Sequence, residues 1–333
     1  MSRHIVKHLV LVAAAVVALG VSQSGDTWKD DSSHHQLFVN VDKDVSLEVL
    51  DWGGSGKAMV LLAGAGNTAH VYDDFAPKLT REYHVYGVTR RGFGASQYPG
   101  ADYGADRLGD DVIAVLDSLK VDRAILVAHS LGGEELSSIA TRHPERVRGL
   151  VYLEAAYSYA FDNGKVPDRS EYRLRPPQPP APTEADTASF SALAKRSVRL
   201  DGFSLPEAEL RQLWDPGPDG RVGKPHAASP GAASIAAGMK KFSTIPAPAL
   251  VIFAIPHAQG LWVKASADPA IQKAADDFTA KESEIGERQA KALQEAVPTA
   301  HVVKLAGANH YVFLSNEADT LREMAAFLKG LND

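Results

Sequence analysis

The sequence predicts an α/β fold: a mostly parallel central sheet with helices on both faces, plus one inserted segment. Three observations support this. Continuous apolar runs of strand length recur along the chain, helical patterns separate them, and the alternation is interrupted once, between about residues 161 and 246. Apolar runs of this kind are typical of parallel strands that helices cover on both faces. The runs lie at residues 58–63, 84–89, 123–128, 148–153, 249–255 and 301–305.

The remaining elements follow from periodicity. Residues 36–52 alternate apolar and polar side chains, which predicts a pair of strands at a half-exposed edge of the sheet. The strongest helical pattern is 105–120, where leucine and valine side chains form one stripe. The helical patterns lie at residues 73–82, 105–120, 134–142, 189–198, 269–297 and 320–331.

The N-terminus has the pattern of an export signal. Basic residues precede a short apolar run at 9–19, and small polar residues follow it. The run is shorter than the about 20 residues that a membrane span needs. We therefore assign residues 1–25 to a cleaved signal peptide, with an uncleaved anchor or hydrophobic tail as the alternative, and expect the protein to be exported to the periplasm or secreted. No later segment is long enough to cross a bilayer, so no span is expected in the mature chain.

The interrupted region divides the remaining chain. We expect a core built from residues 36–160 and 247–333, and a lid built from residues 161–246. The lid contains proline-rich stretches at 176–182 and 215–231, which resist regular packing. A disordered surface loop is therefore the alternative to a lid.

Composition excludes several classes of function. The net charge is −6 and there is no long basic run, which argues against nucleic acid as a partner. The chain has no cysteine, which excludes disulfides, thiolate catalysis and cysteine-ligated metals. The sequence leaves the oligomeric state open.

Ser130 is the candidate nucleophile. An apolar run at 124–127 leads directly into the motif, and a helical pattern begins at residue 134. A serine on such a tight turn between strand and helix presents its hydroxyl to a cleft. The motif is a variant of G-x-S-x-G in which Ala128 takes the first glycine position. The alternative is a serine that caps the following helix.

His310 is the candidate general base. It follows the last predicted strand, so it should lie at the carboxyl edge of the sheet, where Ser130 also lies. There it would accept the serine proton and return it to the leaving group. The alternative is a surface-loop histidine. The competing histidines are His70, His84, His129, His143, His257 and His301.

Glu154 is the candidate acid that orients His310. The turn after the strand at 249–255 contains no acid, and we expect Asp268, the first acid beyond it, to be too distant along the chain. Glu154 ends an apolar strand at the carboxyl edge, where a carboxylate is costly unless it is paired. The order Ser130, Glu154, His310 matches that of a Ser…Asp/Glu…His triad. Asp268 stays the second choice, and pairing of Glu154 with an arginine or contact with the lid is the alternative role.

Two backbone N–H groups are candidates for an oxyanion hole. Leu131 directly follows the nucleophile, and Ala65 lies in the glycine-containing loop 64–68 after the strand at 58–63. Glycines let that backbone approach a ligand closely. A phosphate-binding loop is the alternative, but no Lys-Ser/Thr pair follows.

These motifs resemble the α/β-hydrolase superfamily, in the lid-bearing branch of serine esterases and lipases. The similarity covers residues 36–331 apart from the lid. It rests on residues 61–66, 89–96, 128–133, 143–147 and 307–310. The chain departs from the usual pattern at Ala63, Thr89 and Ala128, which stand where histidine, aspartate and glycine are common. The usual acid site after the seventh strand is also empty, and the superfamily's alternative site one strand earlier matches Glu154.

The resemblance and the motifs together predict a serine hydrolase that cleaves a carboxylic ester of a small molecule through an acyl-enzyme. The reaction requires no metal and no organic cofactor. Dehalogenase and epoxide-hydrolase chemistry in this fold uses an aspartate nucleophile, so Ser130 argues against both. Two alternatives remain: an amide or peptide hydrolase of the same fold, and a non-catalytic hydrolase-like ligand-binding protein.

Overall fold

The computed structural model describes residues 28–167, 175–227, 229 and 231–331. The predicted signal peptide, residues 1–25, lies outside the described residues. None of the described helices is both long enough and apolar enough for a membrane span.

An eight-stranded sheet forms the centre of the molecule, in the order β1-β2-β4-β3-β5-β6-β9-β10. The first two strands form an antiparallel hairpin at one edge, and all strands from β4 to β10 in this order run parallel. This confirms the predicted fold class and the strand pair at the edge. The strands of the sheet are β1 His35–Asp42, β2 Val45–Gly53, β3 Lys57–Leu62, β4 Tyr83–Val88, β5 Ala124–His129, β6 Val147–Leu153, β9 Ala249–Phe253 and β10 Ala300–Lys304.

Most of the predicted helices form. The helices are α1 Ala105–Ser118, α2 Gly132–Arg142, α3 Phe190–Asp201, α4 Glu207–Leu213, α5 Gly231–Gly238, α6 Leu261–Ala265, α7 Pro269–Ala296, α8 Val312–Ser315 and α9 Glu317–Lys329. The helix predicted at 73–82 was wrong: two 3-10 helices, Ala69–Tyr72 and Ala76–Lys78, take this place. Pro77 explains the difference, because it has no N–H to donate to the carbonyl of Asp73.

The sheet has an apolar core on each face. Successive strand residues point to opposite faces, so neighbouring residues of one strand belong to different cores. One core joins the sheet to α1, α2 and α7, and the other joins it to α9 and the 3-10 helix Ala69–Tyr72. The first core contains Val60, Leu126, Leu150 and Tyr152, and the second contains Leu61, Val127, Val151 and Ile252.

The described part of the insertion 161–246 combines short helices and a hairpin with irregular segments. It contains α3, α4, α5 and a two-stranded hairpin, β7 Trp214–Pro216 and β8 Val222–Pro225. The helix α3 is capped by Ser189, whose side chain accepts a hydrogen bond from the N–H of Ala192. The insertion has a small apolar core of its own, formed by Phe190, Leu193, Leu210 and Val222.

Candidate active site

Ser130 lies on the turn between β5 and α2 in a left-handed backbone conformation, with φ of 48°. The turn is tight on both sides. A Cβ at Gly132 would lie 3.1 Å from the Cβ of Ala128, and a Cβ at Gly133 would lie 2.0 Å from the carbonyl oxygen of Ala155. The first position of the motif therefore requires a small residue, as the sequence indicated. Leu131 occupies the N-cap of α2, so the helix-cap role does not fall to Ser130.

Glu154 directly follows β6, with a fully buried side chain and φ of 52°. Its carboxylate accepts hydrogen bonds from the backbone N–H of Ala254 at 2.6 Å and from the hydroxyl of Tyr157 at 2.9 and 3.0 Å. It also faces two imidazoles, with Nε2 of His257 at 2.8 Å and Nδ1 of His310 at 3.1 Å. Burial by itself raises the pKa of Glu154, but the hydrogen bonds of His257 and His310 outweigh burial and lower the pKa to about 2. The carboxylate is therefore ionised at neutral pH.

His310 lies in the loop after β10, and its carbonyl oxygen accepts a hydrogen bond from Nε2–H of His129 at 3.1 Å. Asp268, the second choice for the acid, instead accepts the N–H of Ala270 and caps α7 from an exposed position. The structure thus brings Glu154, and not Asp268, to His310.

Ser130, Glu154 and His310 line one open cavity of about 420 Å³, together with Tyr157 and Tyr159. The three side chains come from the ends of β5 and β6 and the loop after β10, which all meet at the carboxyl edge of the parallel strands.

His257, one of the competing histidines, also lines this cavity. It occupies the turn after β9, where the sequence lacked an acid. Burial lowers its pKa, but the hydrogen bond and the charge of Glu154 outweigh burial and raise it. The sequence analysis named His257 only as a competitor of His310 and missed its contact with Glu154. The missing acid in this turn was the signal that could have pointed to it.

The loop after β3 lies against the candidate nucleophile. A Cβ at Gly64 would lie 3.0 Å from the Cβ of Ser130, so only glycine allows this approach. Ala65 is exposed beside it. Within the described residues, neither the N–H of Ala65 nor that of Leu131 donates an intramolecular hydrogen bond. Both amides therefore stay candidates for an oxyanion hole, although neither residue lines the cavity that contains Ser130.

Arg90 holds this loop in place through its carbonyl groups, a role that the sequence analysis did not assign. Its guanidinium donates to the carbonyl oxygens of Ala63 at 2.8 Å and Gly64 at 3.3 Å, and it pairs with the buried carboxylate of Glu135 on α2. Because α2 begins just after Ser130, this pair connects the two backbone segments that carry the candidate oxyanion donors.

Glu209 fixes the same loop from the insertion. This buried side chain of α4 accepts hydrogen bonds from Nδ2 of Asn67 at 2.8 Å and from the backbone N–H of Thr68 at 3.2 Å. Burial raises the pKa of Glu209 to about 7. The sequence analysis did not identify this residue, because its partners lie about 140 positions earlier in the chain.

Comparison with known proteins identifies the family. Residues 59–323 match the model of the alpha/beta hydrolase family, which is more than half of the chain. The chain therefore belongs to this family, and hydrolase is the general class of activity that its relatives support.

Individual relatives are distant. The chain is 31% identical to 2-hydroxymuconate semialdehyde hydrolase of Pseudomonas sp. (strain CF600) over 192 residues, which are 48% of this chain and 67% of that protein. The crystal structure of E-2-(acetamidomethylene)succinate hydrolase superposes with a TM-score of 0.60 at 22% identity, over 89% of this chain and 100% of that chain. A carboxylesterase of Bacillus subtilis superposes with a TM-score of 0.57 at 17% identity, over 89% and 92% of the two chains. These structural similarities support the fold alone.

Proposed function

We propose that this protein is a serine hydrolase that cleaves carboxylic esters of small molecules through an acyl-enzyme, with Ser130, His310 and Glu154 as the triad. The observation that carries the proposal is the contact of 3.1 Å between Glu154 and Nδ1 of His310, in a cavity that Ser130 also lines.

This contact favours one tautomer of His310. The buried carboxylate of Glu154 is ionised, so it accepts a hydrogen bond and Nδ1 of His310 carries the proton. Nε2 of the neutral ring is then free to accept the proton of Ser130. Glu154 holds the ring in this tautomer and stabilises the imidazolium that forms.

The reaction proceeds in two halves. The hydroxyl oxygen of Ser130 attacks the ester carbonyl while its proton moves to Nε2 of His310. The tetrahedral intermediate collapses, the C–O bond to the alcohol breaks, and His310 returns the proton to the leaving alcohol. Water then attacks the acyl-enzyme with His310 as base, and the carboxylic acid leaves Ser130 in its original state.

The oxyanion is held by the backbone N–H groups of Ala65 and Leu131. One such donor contributes roughly 3–4 kcal/mol to stabilisation of the transition state. Arg90 and Glu209 position the loop that carries Ala65, because they bind its neighbours on both sides. We regard both as positioning residues.

The cavity suits a small ester. Its volume of about 420 Å³ is within the range that small-molecule sites occupy. A second cavity of about 520 Å³ begins at His257 and His310 and is lined by Trp262 and Phe278. Asp201, Gln259 and Glu282 line it as well, so this mixed extension offers room for a larger substituent without selecting a hydrophobic one.

Two alternatives remain within the proposal. An amide or peptide hydrolase would use the same triad, and rates on matched ester and amide substrates distinguish it. The non-catalytic binding protein was suggested by the missing acid after the seventh strand. The contact of Glu154 with His310 weakens that argument, because an acid from the preceding strand takes its place.

Turnover of p-nitrophenyl acetate and butyrate tests the proposal. We expect Ser130→Ala to reduce the rate to background, because the proposed acyl-enzyme forms on this hydroxyl. A fluorophosphonate should label the wild-type protein stoichiometrically and should not label Ser130→Ala. Ser158→Ala is the matched control, since Ser158 lines the same cavity, and it should still be labelled.

Equal rates for the wild type and Ser130→Ala would reject an enzyme that depends on this serine. Hydrolysis of anilides at rates similar to those of the matched esters would favour the amide hydrolase. A substrate panel that includes 2-hydroxymuconate semialdehyde also tests whether this chain shares the substrate in the name of its relative.

A further inference from the structure

A compact group of four potential metal ligands lies outside the cavity at Ser130. Asp30 and His34 come from the segment before β1, whereas His70 and Asp73 come from the 3-10 helix after β3 and its C-cap. One potential ligand atom from each residue lies within 4.8 Å of all the others. Three of the side chains, those of His34, His70 and Asp73, have exposed fractions of 7% or less.

The four side chains form a closed ring of alternating nitrogen and oxygen ligands. Asp73 contacts Nδ1 of His34 at 2.8 Å and Nδ1 of His70 at 3.0 Å. Asp30 lies 3.5 Å from Nδ1 of His70 and 3.7 Å from Nε2 of His34. Ligands in a tetrahedral zinc site with bonds of 2.0–2.1 Å are separated by about 3.3 Å. The contacts of the ring use both nitrogens of His34 and both oxygens of Asp73. A single set of four ligand atoms lies within 4.8 Å of one another, so these atoms would have to move closer to reach the zinc spacing.

The charge of the group also favours a cation. Glu48 adds a third carboxylate, 3.6 Å from Nε2 of His70. Within the described part of the chain, the ion pairs of Asp30, Asp73 and Glu48 are all with His34 or His70. Among the described residues, these printed contacts involve neither lysine nor arginine, so the two imidazoles face three acids and a dication would add positive charge to the group.

The groups around the ring support the ligands in the way that metal sites require. His70 turns Nδ1 towards Asp30 and Asp73, while its Nε2 faces Glu48. Glu48 is itself held by the side chains of Gln36 at 2.6 Å and Thr89 at 2.7 Å. A carboxylate behind a ligating histidine fixes the tautomer and orientation of the ring.

Trp52 contacts the ring through Asp73. Its indole N–H donates a hydrogen bond to Asp73 at 3.2 Å, which leaves the other carboxylate oxygen of Asp73 directed at His70.

We propose that Asp30, His34, His70 and Asp73 bind one divalent transition-metal ion, and that Zn²⁺ is the best match for this set of two nitrogens and two oxygens. Histidine ligands disfavour Mg²⁺ and Ca²⁺, which prefer all-oxygen sites. None of the four residues lines the cavity at Ser130, so the ion has a structural role. It connects the segment that precedes β1 to the loop after β3, about 40 residues later in the chain.

Calorimetric titration of Zn²⁺ into the untagged full-length protein, dialysed against a chelator, tests the proposal. We expect one ion to bind per chain and to raise the thermal unfolding midpoint by several degrees. Replacing Zn²⁺ with Co²⁺ should produce the visible absorption bands of tetrahedral cobalt.

His34→Gln and Asp30→Asn are the decisive variants. Both residues lie on a partly exposed segment, whereas replacing the buried His70 could prevent folding. Each variant should lose more than about 100-fold in Zn²⁺ affinity, beyond the 10–100-fold typical of residues that only support ligands. The matched control is His35→Gln, which alters the exposed neighbouring histidine and should bind as the wild type does.

Two results would overturn the proposal. The first is absence of both binding heat and a shift in the unfolding midpoint for the wild type in excess Zn²⁺. The second is equal affinity in His34→Gln and the wild type, which would assign binding to histidines elsewhere. Loss of stability in the variants without any effect of Zn²⁺ on the wild type identifies a hydrogen-bonded cluster only, and it also rejects the metal site.

Discussion

Glu154 accepts hydrogen bonds from two imidazoles while its side chain is fully buried. A buried carboxylate without partners is costly, and here the backbone N–H of Ala254 and the hydroxyl of Tyr157 complete its hydrogen bonding. These contacts explain how an acid that follows β6 can stay ionised beside His310, while His257 occupies the turn after β9.

Glu154→Gln tests this role. The amide has the same size but carries no charge, so it stabilises neither the correct tautomer of His310 nor the imidazolium. We expect kcat for p-nitrophenyl butyrate to fall by about 10³–10⁴-fold, with an unchanged circular dichroism spectrum. Asp268→Asn is the control and should retain the wild-type rate, because Asp268 only caps α7. The reverse pattern would transfer the acid role to Asp268.

At the scale of elements, the connection between β5 and α2 depends on glycine at position 133. This helix packs so closely on the end of β6 that a Cβ would meet the carbonyl oxygen of Ala155. The helix therefore sets the position of the residue next to Glu154 as well as that of Ser130.

Gly133→Ala should disturb the positions of both Ser130 and Ala155. The added methyl group would lie 2.0 Å from a backbone oxygen, so backbone must move. We expect a loss of about 1–3 kcal/mol in the free energy of unfolding, measured with urea, and a decrease in kcat. Gly104→Ala is the control, because the nearest atom to its new Cβ would be 3.9 Å away. If Gly133→Ala and Gly104→Ala had equal free energies of unfolding, α2 would be able to shift without loss of stability.

The sequence predicted elements and single residues better than it predicted contacts. Ser130 and His310 carry local signals, since each follows an apolar strand at the carboxyl edge. Glu154 emerged by elimination once the turn after β9 proved to lack an acid.

The roles of Arg90 and Glu209 depend on pairings between residues 26 to 142 positions apart, and no local pattern encodes these distances. The helix predicted at 73–82 did not form for a local reason, because Pro77 interrupts the helical hydrogen bonding that the surrounding pattern favours.

At the scale of the whole molecule, Glu209 joins the insertion to the core. It is the buried carboxylate of α4 that holds Asn67 and Thr68 beside the candidate oxyanion donor Ala65. We infer that the insertion acts as a lid whose docking also shapes the oxyanion loop. Because burial raises the pKa of Glu209 to about 7, the charge of Glu209 in this contact should change near neutral pH.

Stability should therefore depend on pH through Glu209. A pKa that is higher in the folded state means that its contribution to stability is fully present below pH about 4.5 and is lost as the pH rises through about 7. Between pH 5 and 8 the wild type should lose roughly 2 kcal/mol in the free energy of unfolding relative to Glu209→Gln. Urea unfolding across this range measures the difference.

Glu207→Gln, on the partly exposed side of the same helix, is the control and should follow the wild-type profile. Parallel profiles for the wild type and Glu209→Gln would show that Glu209 does not titrate in this range.

The backbone amides of Ser130 and Glu154 continue the ladder of the sheet, because they donate to Leu153 and Ile252 of the neighbouring strands. Nucleophile and acid are therefore spaced by the pitch between strands, about 4.8 Å, whereas the imidazole of His310 is carried on a loop. Hydrogen bonds from Gly307 to Pro256 and from Ala258 to Ala308 tie this loop to the turn after β9. Substitutions in that turn should therefore move the imidazole while the spacing of the other two groups is kept.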